Sequence, residues 1–398
     1  MSQRICVIGQ GYVGLPLALS FAEKSFEVFG LDVDLSKVNN LKLGISPIED
    51  ISNFRLSELI KNRQYKATDN YADVHDSEVI IVCVPTPLDG NRKPDLTYLF
   101  SCIKSFGKYV KKGSLLIIES TIAPGTIKKD LIPLIEQETG LSIDNFDLAY
   151  SSERVDPLNK AWNLRNTPKI VAGLTRESQI RAKSLYLNVV DVVVESSSIE
   201  AAETAKLLEN SFRLVNISLI NEIAIFCRIF GIDVNEVIKL ASTKPYGFMP
   251  FYPSLGAGGH CIPVDPIYLS EKSREFGISL SMIEVADRVN RYIPLHFIGL
   301  AESKLKDLNG RKILIVGVSY KPNVSDVRET PVEALLMGLR KKGFEVFWHD
   351  DLVNEWLGEK SSALSNNYDL AIVATLHDYL DLSKLGDVPV LNTKNSKL

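Results

Sequence analysis

The chain begins with a short apolar segment, a glycine-rich turn and a helical pattern in immediate succession. Residues 5–9 (ICVIG) lead into residues 9–14 (GQGYVG), which fit the pattern G-x-G-x-x-G. Glycines at these places allow the tight turn, the approach of backbone to a pyrophosphate and close packing of the helix on the sheet. The sequence therefore predicts that the chain opens with a strand, a phosphate-binding turn and the N-terminus of a helix.

Apolar segments alternate with helical patterns through the first half of the chain. Residues 27–31, 79–84 and 115–119 are apolar without strict alternation, as expected for strands buried on both faces of a parallel sheet. Helical patterns lie between them. This order predicts a doubly wound α/β sheet.

A long helical pattern follows from about residue 197. It contains neither glycine nor proline up to residue 230, its apolar residues recur at helical spacing, and Gly231 ends it. At about 1.5 Å per residue the helix would be roughly 50 Å long, which is more than one small domain needs. We expect a central helix that links two domains and packs against a second subunit, in a homodimer or higher oligomer.

The last part of the chain repeats the first. Residues 25–32 (SFEVFGLD) return as residues 343–350 (GFEVFWHD), and residues 5–9 have a counterpart in residues 313–317. The predicted fold class is α/β, with two Rossmann-like doubly wound domains joined by a long central helix and a helical connector. The expected division is a dinucleotide-binding domain at 1–196, a connector and dimerisation domain at 197–300, and a smaller Rossmann-like domain at 301–398.

The composition argues against several classes of partner and site. The chain has 45 Lys and Arg against 49 Asp and Glu, a formal net charge of -4, so it has no basic field that would hold nucleic acid. No apolar run approaches the roughly 20 residues of a membrane span. The five scattered cysteines include no CxxC pair or Cys/His cluster, which argues against a disulfide framework and a metal site. Without a signal-peptide pattern, a cytoplasmic protein is expected.

The end of the second predicted strand favours NAD over NADP. Asp32 stands where a carboxylate accepts hydrogen bonds from the adenosine ribose and repels a 2′-phosphate. Lys37 is either a contact on the adenosine side or a solvated surface lysine. Residues 84–87 (VPTP) and 119–121 (EST) follow predicted strands, and are either ligand contacts or turns. The expected cofactor residues are Gly9, Gly11, Tyr12, Val13, Gly14, Asp32, Lys37, Pro85, Thr86 and Thr121.

A second glycine-rich segment, residues 255–266 (LGAGGHCIPVDP), surrounds a cysteine. Its glycines bring backbone amides close to another group, so Cys261 is either a nucleophile whose thiolate those amides stabilise or a buried structural cysteine. Asp265, directly before Pro266, also fits a helix N-cap.

Lys206 and Asn210 stand four residues apart on the long helix and share one face. Together they could polarise a developing alkoxide or order a water molecule. The alternative is an ion pair between Lys206 and Glu203 on a solvated face.

These motifs resemble those of the nucleotide-sugar 6-dehydrogenases, the family that contains UDP-glucose and UDP-N-acetylhexosamine dehydrogenases. Residues 260–266 are similar to the N-acetylhexosamine branch, and residues 244–253 (KPYGFMPFYP) look most like UDP-N-acetylglucosamine 6-dehydrogenases. The resemblance covers nearly the whole chain, through residues 9–16, 85–87, 119–125, 152–154, 202–210, 258–261, 320–321 and 326–329.

The resemblance implies an NAD-dependent, four-electron oxidation of carbon 6 through a Cys261 thiohemiacetal and thioester, for surface polysaccharide synthesis. It assigns UDP-sugar binding to the domain at 301–398. The catalytic residues it implies are Cys261, Lys206, Asn210, Asp265, Glu153 and Thr121, with Arg328 near the diphosphates. The substrate contacts it implies are Glu153, Lys206, Asn210, Arg213, Phe251, Tyr252, Gly258 and Lys321.

The chain departs from the family pattern at Ser152, at Ser254 and at residues 392–394 (NTK), where the family usually has proline, glycine and Asp-x-Arg. These departures put substrate affinity in question. The alternatives are UDP-N-acetylmannosamine or UDP-glucose as substrate, a one-step alcohol dehydrogenase of the same fold, and a non-catalytic nucleotide-sugar-binding partner.

Overall fold

The structure, a computed structural model, describes residues 3–154, 156, 159, 161–308 and 311–394. It separates into two compact units, Met1–Leu208 and Glu209–Leu398. None of the described helices combines the length and the apolar character that a bilayer crossing requires. Within the same residues, no group of three or more His, Cys, Asp and Glu could hold a metal ion.

The first unit alternates strands and helices from its beginning. Its elements, with the long helix that leaves it, are β1 (Arg4–Ile8), α1 (Gly14–Ala22), β2 (Glu27–Leu31), α2 (Leu35–Lys42), α3 (Asn53–Lys61), β3 (Tyr65–Thr68), β4 (Val79–Val82), α4 (Thr97–Phe106), β5 (Leu115–Ile118), α5 (Ile132–Thr139), β6 (Asp147–Tyr150), β7 (Lys169–Gly173), α6 (Arg176–Tyr186), β8 (Val193–Glu195) and α7 (Ile199–Phe230).

The strands of the first unit form one sheet, which has eight strands within the described residues, in the order β3-β2-β1-β4-β5-β6-β7-β8. The strands β1 to β6 are parallel, and their order is that of dinucleotide-binding sheets. The predicted doubly wound sheet is confirmed. Because the order reverses between β1 and β4, ligands are expected at the carboxyl ends of these strands. The strand β7 is antiparallel to β6 and so begins at the edge where β6 ends.

Both faces of this sheet are covered. Ile5 and Val7 belong to one buried apolar cluster, and Cys6 and Ile8 belong to another. Successive side chains of a strand point to opposite faces. A strand covered on both sides therefore has to be apolar at every position, which explains why β1 shows no polar alternation.

The long helix α7 begins in the first unit and continues into the second. Its first turn is anchored by Ile199 and Ala202, which are buried in the cluster around β4 and β5. The predicted central helix is confirmed. The two compact units separate inside this helix, after residue 208, whereas the expected first boundary lies at residue 196, in the loop before it.

The second unit contains the rest of α7, three more helices and a smaller α/β part. Its elements are α8 (Val234–Ala241), α9 (Asp265–Arg274), α10 (Ser281–Leu308), β9 (Lys312–Val316), α11 (Val332–Lys341), β10 (Glu345–His349), β11 (Glu355–Trp356), β12 (Glu359–Lys360), β13 (Leu370–Val373) and β14 (Val390–Asn392).

The sheet of the second unit has the order β10-β9-β13-β14 and is parallel throughout. The order corresponds to β2-β1-β4-β5 of the first sheet, as the sequence repeat predicts. A carboxylate at the end of the second strand also recurs: Asp350 accepts hydrogen bonds from the backbone N–H of Val318 (2.9 Å) and Ser319 (3.3 Å), as Asp32 does from Gln10 (2.8 Å).

The expected boundary between residues 300 and 301 falls inside α10. One face of α10 is continuous across it, because Ile293, Phe297 and Leu305 all lie in the buried cluster that β9 and α11 form. A helix whose apolar face belongs to one core acts as a single packing unit. Residues of α10 on both sides of residue 300 therefore pack into the core of the second sheet.

Candidate active site

The turn after β1 is shaped by close approaches of the backbone. Gly9 has a φ of +94°, and a Cβ added to it would lie 2.6 Å from the Cys83 carbonyl oxygen. A Cβ on Gly14 would collide with the carbonyl oxygen of Gly9. A Cβ on Gly11 would have no described atom within 4 Å. Two glycines thus allow α1 to pack on the sheet, and the third leaves room for a ligand at the helix N-terminus.

Asp32 occupies the end of β2 as a buried carboxylate. Its Oδ2 accepts hydrogen bonds from the Gln10 N–H (2.8 Å) and from Lys37 Nζ (2.8 Å), and its Oδ1 accepts one from the Asp34 N–H (3.0 Å). The structure thus brings Asp32, Lys37 and the glycine turn together, as the cofactor prediction requires. These hydrogen bonds hold the Asp32 carboxylate next to the glycine turn.

We expect Asp32→Asn to weaken the preference for NAD over NADP by roughly ten- to hundredfold, which is the value of one or two charge-assisted hydrogen bonds. The amide can still accept from Gln10, while Lys37 loses its partner and becomes available to a 2′-phosphate. The measurement is kcat/KM with each cofactor. Asp34→Asn removes a neighbouring charge at the start of α2 and should keep the wild-type preference. An unchanged ratio in Asp32→Asn would contradict the assignment.

The strands β4 and β5 end side by side, and the segments after them are joined by hydrogen bonds. The Thr86 hydroxyl donates to the Thr121 carbonyl (2.7 Å), and the Ser120 hydroxyl donates to the Val84 carbonyl (2.7 Å). Pro85 is exposed beside them. The predicted threonines therefore lie together at the carboxyl edge of the sheet, and their positions are set by this double connection.

Tyr12 and Val13 complete the predicted turn. The Tyr12 hydroxyl donates to Glu49 (3.0 Å), and Val13 is the N-cap residue of α1.

A buried charged cluster lies behind this edge, and the sequence patterns alone did not single it out. Lys169, the first residue of β7, donates to Glu119 Oε2 (3.1 Å) and to Glu153 Oε2 (3.3 Å). Glu119 also accepts from the Tyr186 hydroxyl. Burial raises the pKa of Glu119 to about 7, although the charge of Lys169 acts to lower it, and the neighbouring Glu153 also acts to raise it. The sequence feature that indicates this cluster is the lysine at the start of β7, a strand that is otherwise apolar (KIVAG).

On α7, Glu203 is buried and caps another segment. It accepts from the backbone N–H of Gly125 (2.7 Å) and Ile127 (3.4 Å), and burial raises its pKa to about 7. The alternative of a solvated ion pair with Lys206 is therefore wrong. Lys206 is itself buried, one turn before Asn210 on the same helix.

The cysteine loop meets α7 at Asn210. The Asn210 amide donates to Asp265 Oδ2 (2.6 Å), and the Asp265 N–H donates to the Cys261 carbonyl (2.8 Å). Cys261 itself is partly exposed. Three of the predicted catalytic residues, Cys261, Asn210 and Asp265, are thus gathered at the start of α9.

The N-cap interpretation of Asp265 is wrong. Asp265 is the first residue of α9, and Val264 is the N-cap, without a side-chain hydrogen bond. Pro266 fits the second helical position as well as the first, because both lack an intrahelical N–H partner. The Asp265 carboxylate accepts a hydrogen bond from the Asn210 amide of α7.

The glycines before the cysteine make room for another loop. A Cβ on Gly258 would lie 2.8 Å from Tyr320 Cβ, and a Cβ on Gly259 would lie 2.9 Å from the Tyr320 ring. The Gly259 N–H donates to the Arg328 carbonyl (3.1 Å). These contacts explain the small residues through packing on the segment around Tyr320 and Arg328. That segment is a second part of the site that spacing alone does not bring to Cys261.

The loop is also held at its other end. Asn290 of α10 accepts from the Ala257 N–H (2.6 Å) and donates to the Ala257 carbonyl (3.1 Å). Asn221 of α7 accepts from the Ser254 N–H (2.9 Å), and the Ser254 hydroxyl accepts from the Gly256 N–H (3.2 Å). The serine that departs from the family pattern thus contributes a hydrogen bond within the loop.

The remaining predicted residues, Arg328 on the cofactor side and the other substrate contacts, are more accessible. Arg328 pairs with Asp326 through two nitrogens, which holds the pKa of Asp326 below its usual value although burial acts to raise it. Arg213 and Tyr252 are exposed, and Lys321 is partly exposed. Phe251 packs against Phe212 of α7, with ring centroids 5.8 Å apart.

The chain matches three domains of one family in order. The NAD binding domain of the UDP-glucose/GDP-mannose dehydrogenase family matches residues 3–190, its central domain matches residues 200–292, and its UDP binding domain matches residues 314–395. The chain belongs to the UDP-glucose/GDP-mannose dehydrogenase family.

Individual members of the family are similar over most of their length. The chain is 36% identical over 365 residues to a UDP-N-acetyl-D-glucosamine 6-dehydrogenase of Pseudomonas aeruginosa, covering 90% of this chain and 84% of the relative. It is 35% identical over 382 residues to a UDP-N-acetyl-D-mannosamine dehydrogenase of Pyrococcus horikoshii, covering 94% and 89%. The solved structure of a UDP-D-ManNAc dehydrogenase from Pyrococcus horikoshii matches with a TM-score of 0.91 at 31% identity, covering 99% of this chain and 96% of that chain.

Membership of the UDP-glucose/GDP-mannose dehydrogenase family establishes the general activity. The protein is an NAD-dependent nucleotide-sugar 6-dehydrogenase, with an NAD-binding domain at its start and a UDP-binding domain after its central helix. The expected family, fold class and cofactor are confirmed.

Proposed function

We propose that this dehydrogenase oxidises carbon 6 of a UDP-N-acetylhexosamine, UDP-N-acetylglucosamine in the first place, to the uronate in two successive steps on Cys261. The observation that carries the proposal is the group formed by Cys261, Asn210 and Asp265. Cys261 is a partly exposed cysteine whose carbonyl accepts from the Asp265 N–H, and the Asp265 carboxylate accepts from the Asn210 amide. A one-step alcohol dehydrogenase would need no thiol there.

The first unit contributes the cofactor site. When bound there, NAD⁺ would supply the hydride acceptor for both oxidations of carbon 6. Gly11 leaves space for the pyrophosphate, and the buried Asp32 carboxylate suits the two ribose hydroxyls. Pro85, Thr86 and Thr121 stand at the carboxyl edge, where a ligand of such a sheet binds.

The second unit contributes the nucleophile. After the first oxidation, the Cys261 thiolate adds to the aldehyde carbon, and the carbonyl oxygen takes a proton to give a thiohemiacetal. Loss of the second hydride and of that proton leaves a thioester, which water cleaves to the carboxylate and the free thiol. For each sugar, one water is consumed and two NADH are formed.

The remaining residues have supporting roles in the proposal. Lys206 and Asn210 stabilise the negative oxygen on carbon 6 with an ammonium and an amide donor. Asp265 and Thr121 order the hydrolytic water, and Glu153 assists proton transfer during thioester hydrolysis. Burial of Lys206 and Asn210 strengthens their electrostatic effect, because a charge acts over a longer range when water is excluded.

The UDP-sugar contacts proposed from the resemblance are Arg213, Phe251, Tyr252, Gly258 and Lys321, and Arg328 is proposed as a further cofactor contact. UDP-N-acetylglucosamine is preferred because residues 244–253 resemble its dehydrogenases and because the Pseudomonas aeruginosa relative carries that activity in its name. UDP-N-acetylmannosamine is the second candidate, since the relative from Pyrococcus horikoshii is nearly as similar.

We also propose a homodimer that covers α7. The apolar side chains Leu219, Phe226, Ile229 and Phe230 of this helix are 51 to 79% exposed, and a patch of large apolar side chains on a surface helix is typical of a subunit interface. The division at residues 196 and 300 and the cytoplasmic location stay predictions.

The test is a turnover assay that counts NADH per sugar. We expect two equivalents of NADH and one uronate per UDP-N-acetylglucosamine, with lower kcat/KM for the manno and galacto N-acetyl sugars and for UDP-glucose. One equivalent with release of an aldehyde would instead support the one-step dehydrogenase. No NADH with any of the four sugars would support a non-catalytic nucleotide-sugar-binding protein.

A further inference from the structure

The most unusual charged group of the first unit is the cluster of Glu119, Glu153, Lys169 and Tyr186. The side chains of Lys169 and Glu119 are 4% and 0% exposed, and that of Glu153 is 14% exposed. Charged side chains are rarely buried to this extent unless they are paired. Here the Lys169 ammonium lies within ion-pair distance of two carboxylates, those of Glu119 and Glu153.

The topology of the sheet explains how a lysine reaches this place. Glu119 directly follows β5, and Glu153 lies three residues after β6, so both stand at the carboxyl edge of the parallel strands. Lys169 begins β7, which is antiparallel to β6. The start of β7 is therefore at the same edge, and its first side chain meets the two carboxylates.

The charges of the cluster are mutually dependent. Burial acts to lower the pKa of Lys169, but the carboxylates of Glu119 and Glu153 outweigh this effect and raise the pKa above its usual value. The lysine therefore keeps its proton. Burial, followed by the charge of Glu119, raises the pKa of Tyr186 far above its usual value. Burial likewise raises the pKa of the nearby Cys83 thiol. Both of these groups are neutral at neutral pH, so the titrating charge of the cluster is shared between the carboxyls.

The two carboxyls differ in their partners. Glu119 accepts hydrogen bonds from the Tyr186 hydroxyl and from Lys169, and its side chain is fully buried. Glu153 is the more accessible, and it also accepts a hydrogen bond from the Arg154 N–H (2.6 Å). Lys169 thus connects a sealed carboxyl to one at the ligand edge of the sheet.

We propose that Lys169 and Glu119 are positioning residues that set the charge state of Glu153 and hold its side chain at the edge of the sheet. The positive charge of Lys169 stabilises the ionised form of Glu153. The negative charge of Glu119, when Glu119 is ionised, destabilises that form. The proposal rests on the proposed role of Glu153 in thioester hydrolysis.

The experiment is the pH dependence of kcat for the wild type and for variants of the cluster. Glu153→Gln first identifies the midpoint that belongs to Glu153, because that midpoint is absent in this variant. Lys169→Met should then raise the midpoint by roughly one pH unit or more, which is the usual effect of one charge within about 4 to 6 Å. Glu119→Gln should lower the midpoint by a smaller amount, because burial raises the pKa of Glu119 and keeps part of this carboxyl protonated.

The double variant Glu119→Gln with Lys169→Met gives the sharpest outcome. It removes both of the neighbouring charges, so its midpoint should lie between those of the two single variants. A purely structural role would instead lower the melting temperature in every variant without moving the midpoint in opposite directions. Should Lys169→Met fail to fold, the downward shift in Glu119→Gln decides the matter alone.

Lys183→Met is the matched control. Lys183 forms an ion pair with Glu195 on the surface of the same unit, and its loss should leave the midpoint unchanged. An active wild type whose midpoint stays in place in all cluster variants would overturn the inference. A wild type without activity on any UDP-hexose would contradict the proposed function instead.

Discussion

Replacing Cys261 with alanine should reduce uronate formation on the order of 10³-fold or more, as is usual when a covalent nucleophile is removed. Without the thiol, the aldehyde from the first oxidation has no nucleophile to form the thioester. NADH formation should fall toward one equivalent per sugar, accompanied by slow release of the aldehyde. The measurement is steady-state NADH formation together with mass spectrometry of the product.

Cys227→Ala provides the control for this experiment. Cys227 is 1% exposed and packs with Ala224, Val234 and Ile238, so its removal should cost stability but leave turnover in place. Uronate formation by Cys261→Ala at the wild-type rate would rule out the covalent mechanism.

The surroundings of the other cysteines make a selective labelling experiment possible. Burial raises the pKa of Cys6, Cys83, Cys102 and Cys227, which keeps these thiols protonated and unreactive. Alkylation of the native protein at mildly alkaline pH should therefore modify Cys261 first, and UDP-sugar should protect it. Preferential labelling of another cysteine would contradict the assignment of Cys261 as the reactive thiol.

The second large effect is expected at the glycine turn, where Gly14→Ala and Gly11→Ala should separate folding from cofactor binding. A methyl group on Gly14 collides with backbone, so we expect a loss of about 3 kcal/mol or more in the free energy of unfolding, at the upper end of the cost of overpacking. NAD binding should be lost with it.

Gly11→Ala should behave differently. Its methyl group meets open space among the described residues, so the free energy of unfolding should change by less than about 0.5 kcal/mol. NAD affinity should nevertheless fall by roughly tenfold or more, because the methyl group occupies the space in which the backbone approaches the pyrophosphate. Thermal unfolding and calorimetric titration with NAD measure both effects. Wild-type NAD affinity in Gly11→Ala would place the pyrophosphate elsewhere.

Much of the fold follows from local patterns in the chain. The strands β1 and β2, the turn between Gly9 and Gly14 and the helix α7 are predicted within one or two residues, because apolar runs and glycines constrain the backbone where they stand. The repeats of residues 25–32 at 343–350 and of residues 5–9 at 313–317 predict the second, smaller α/β domain.

Side chains whose partners are distant in sequence were harder to interpret. Glu203 was considered as a surface partner of Lys206, yet it is buried and caps the segment at Gly125. Asp265 was considered as an N-cap, yet its carboxylate bonds Asn210. In both cases the local pattern allowed two partners, and a contact between remote segments selected one of them.

Local sequence was therefore sufficient for the element types and for the glycine turn after the first strand, since these depend on neighbouring residues. Long-range packing set the environment of the functional groups. It carried Lys169 to two buried carboxylates by reversing one strand of the sheet, and it placed Tyr320 where Gly258 and Gly259 leave room for it. The physical reason is that burial and charge depend on every segment that surrounds a side chain, and in a folded chain most of those segments are remote in sequence.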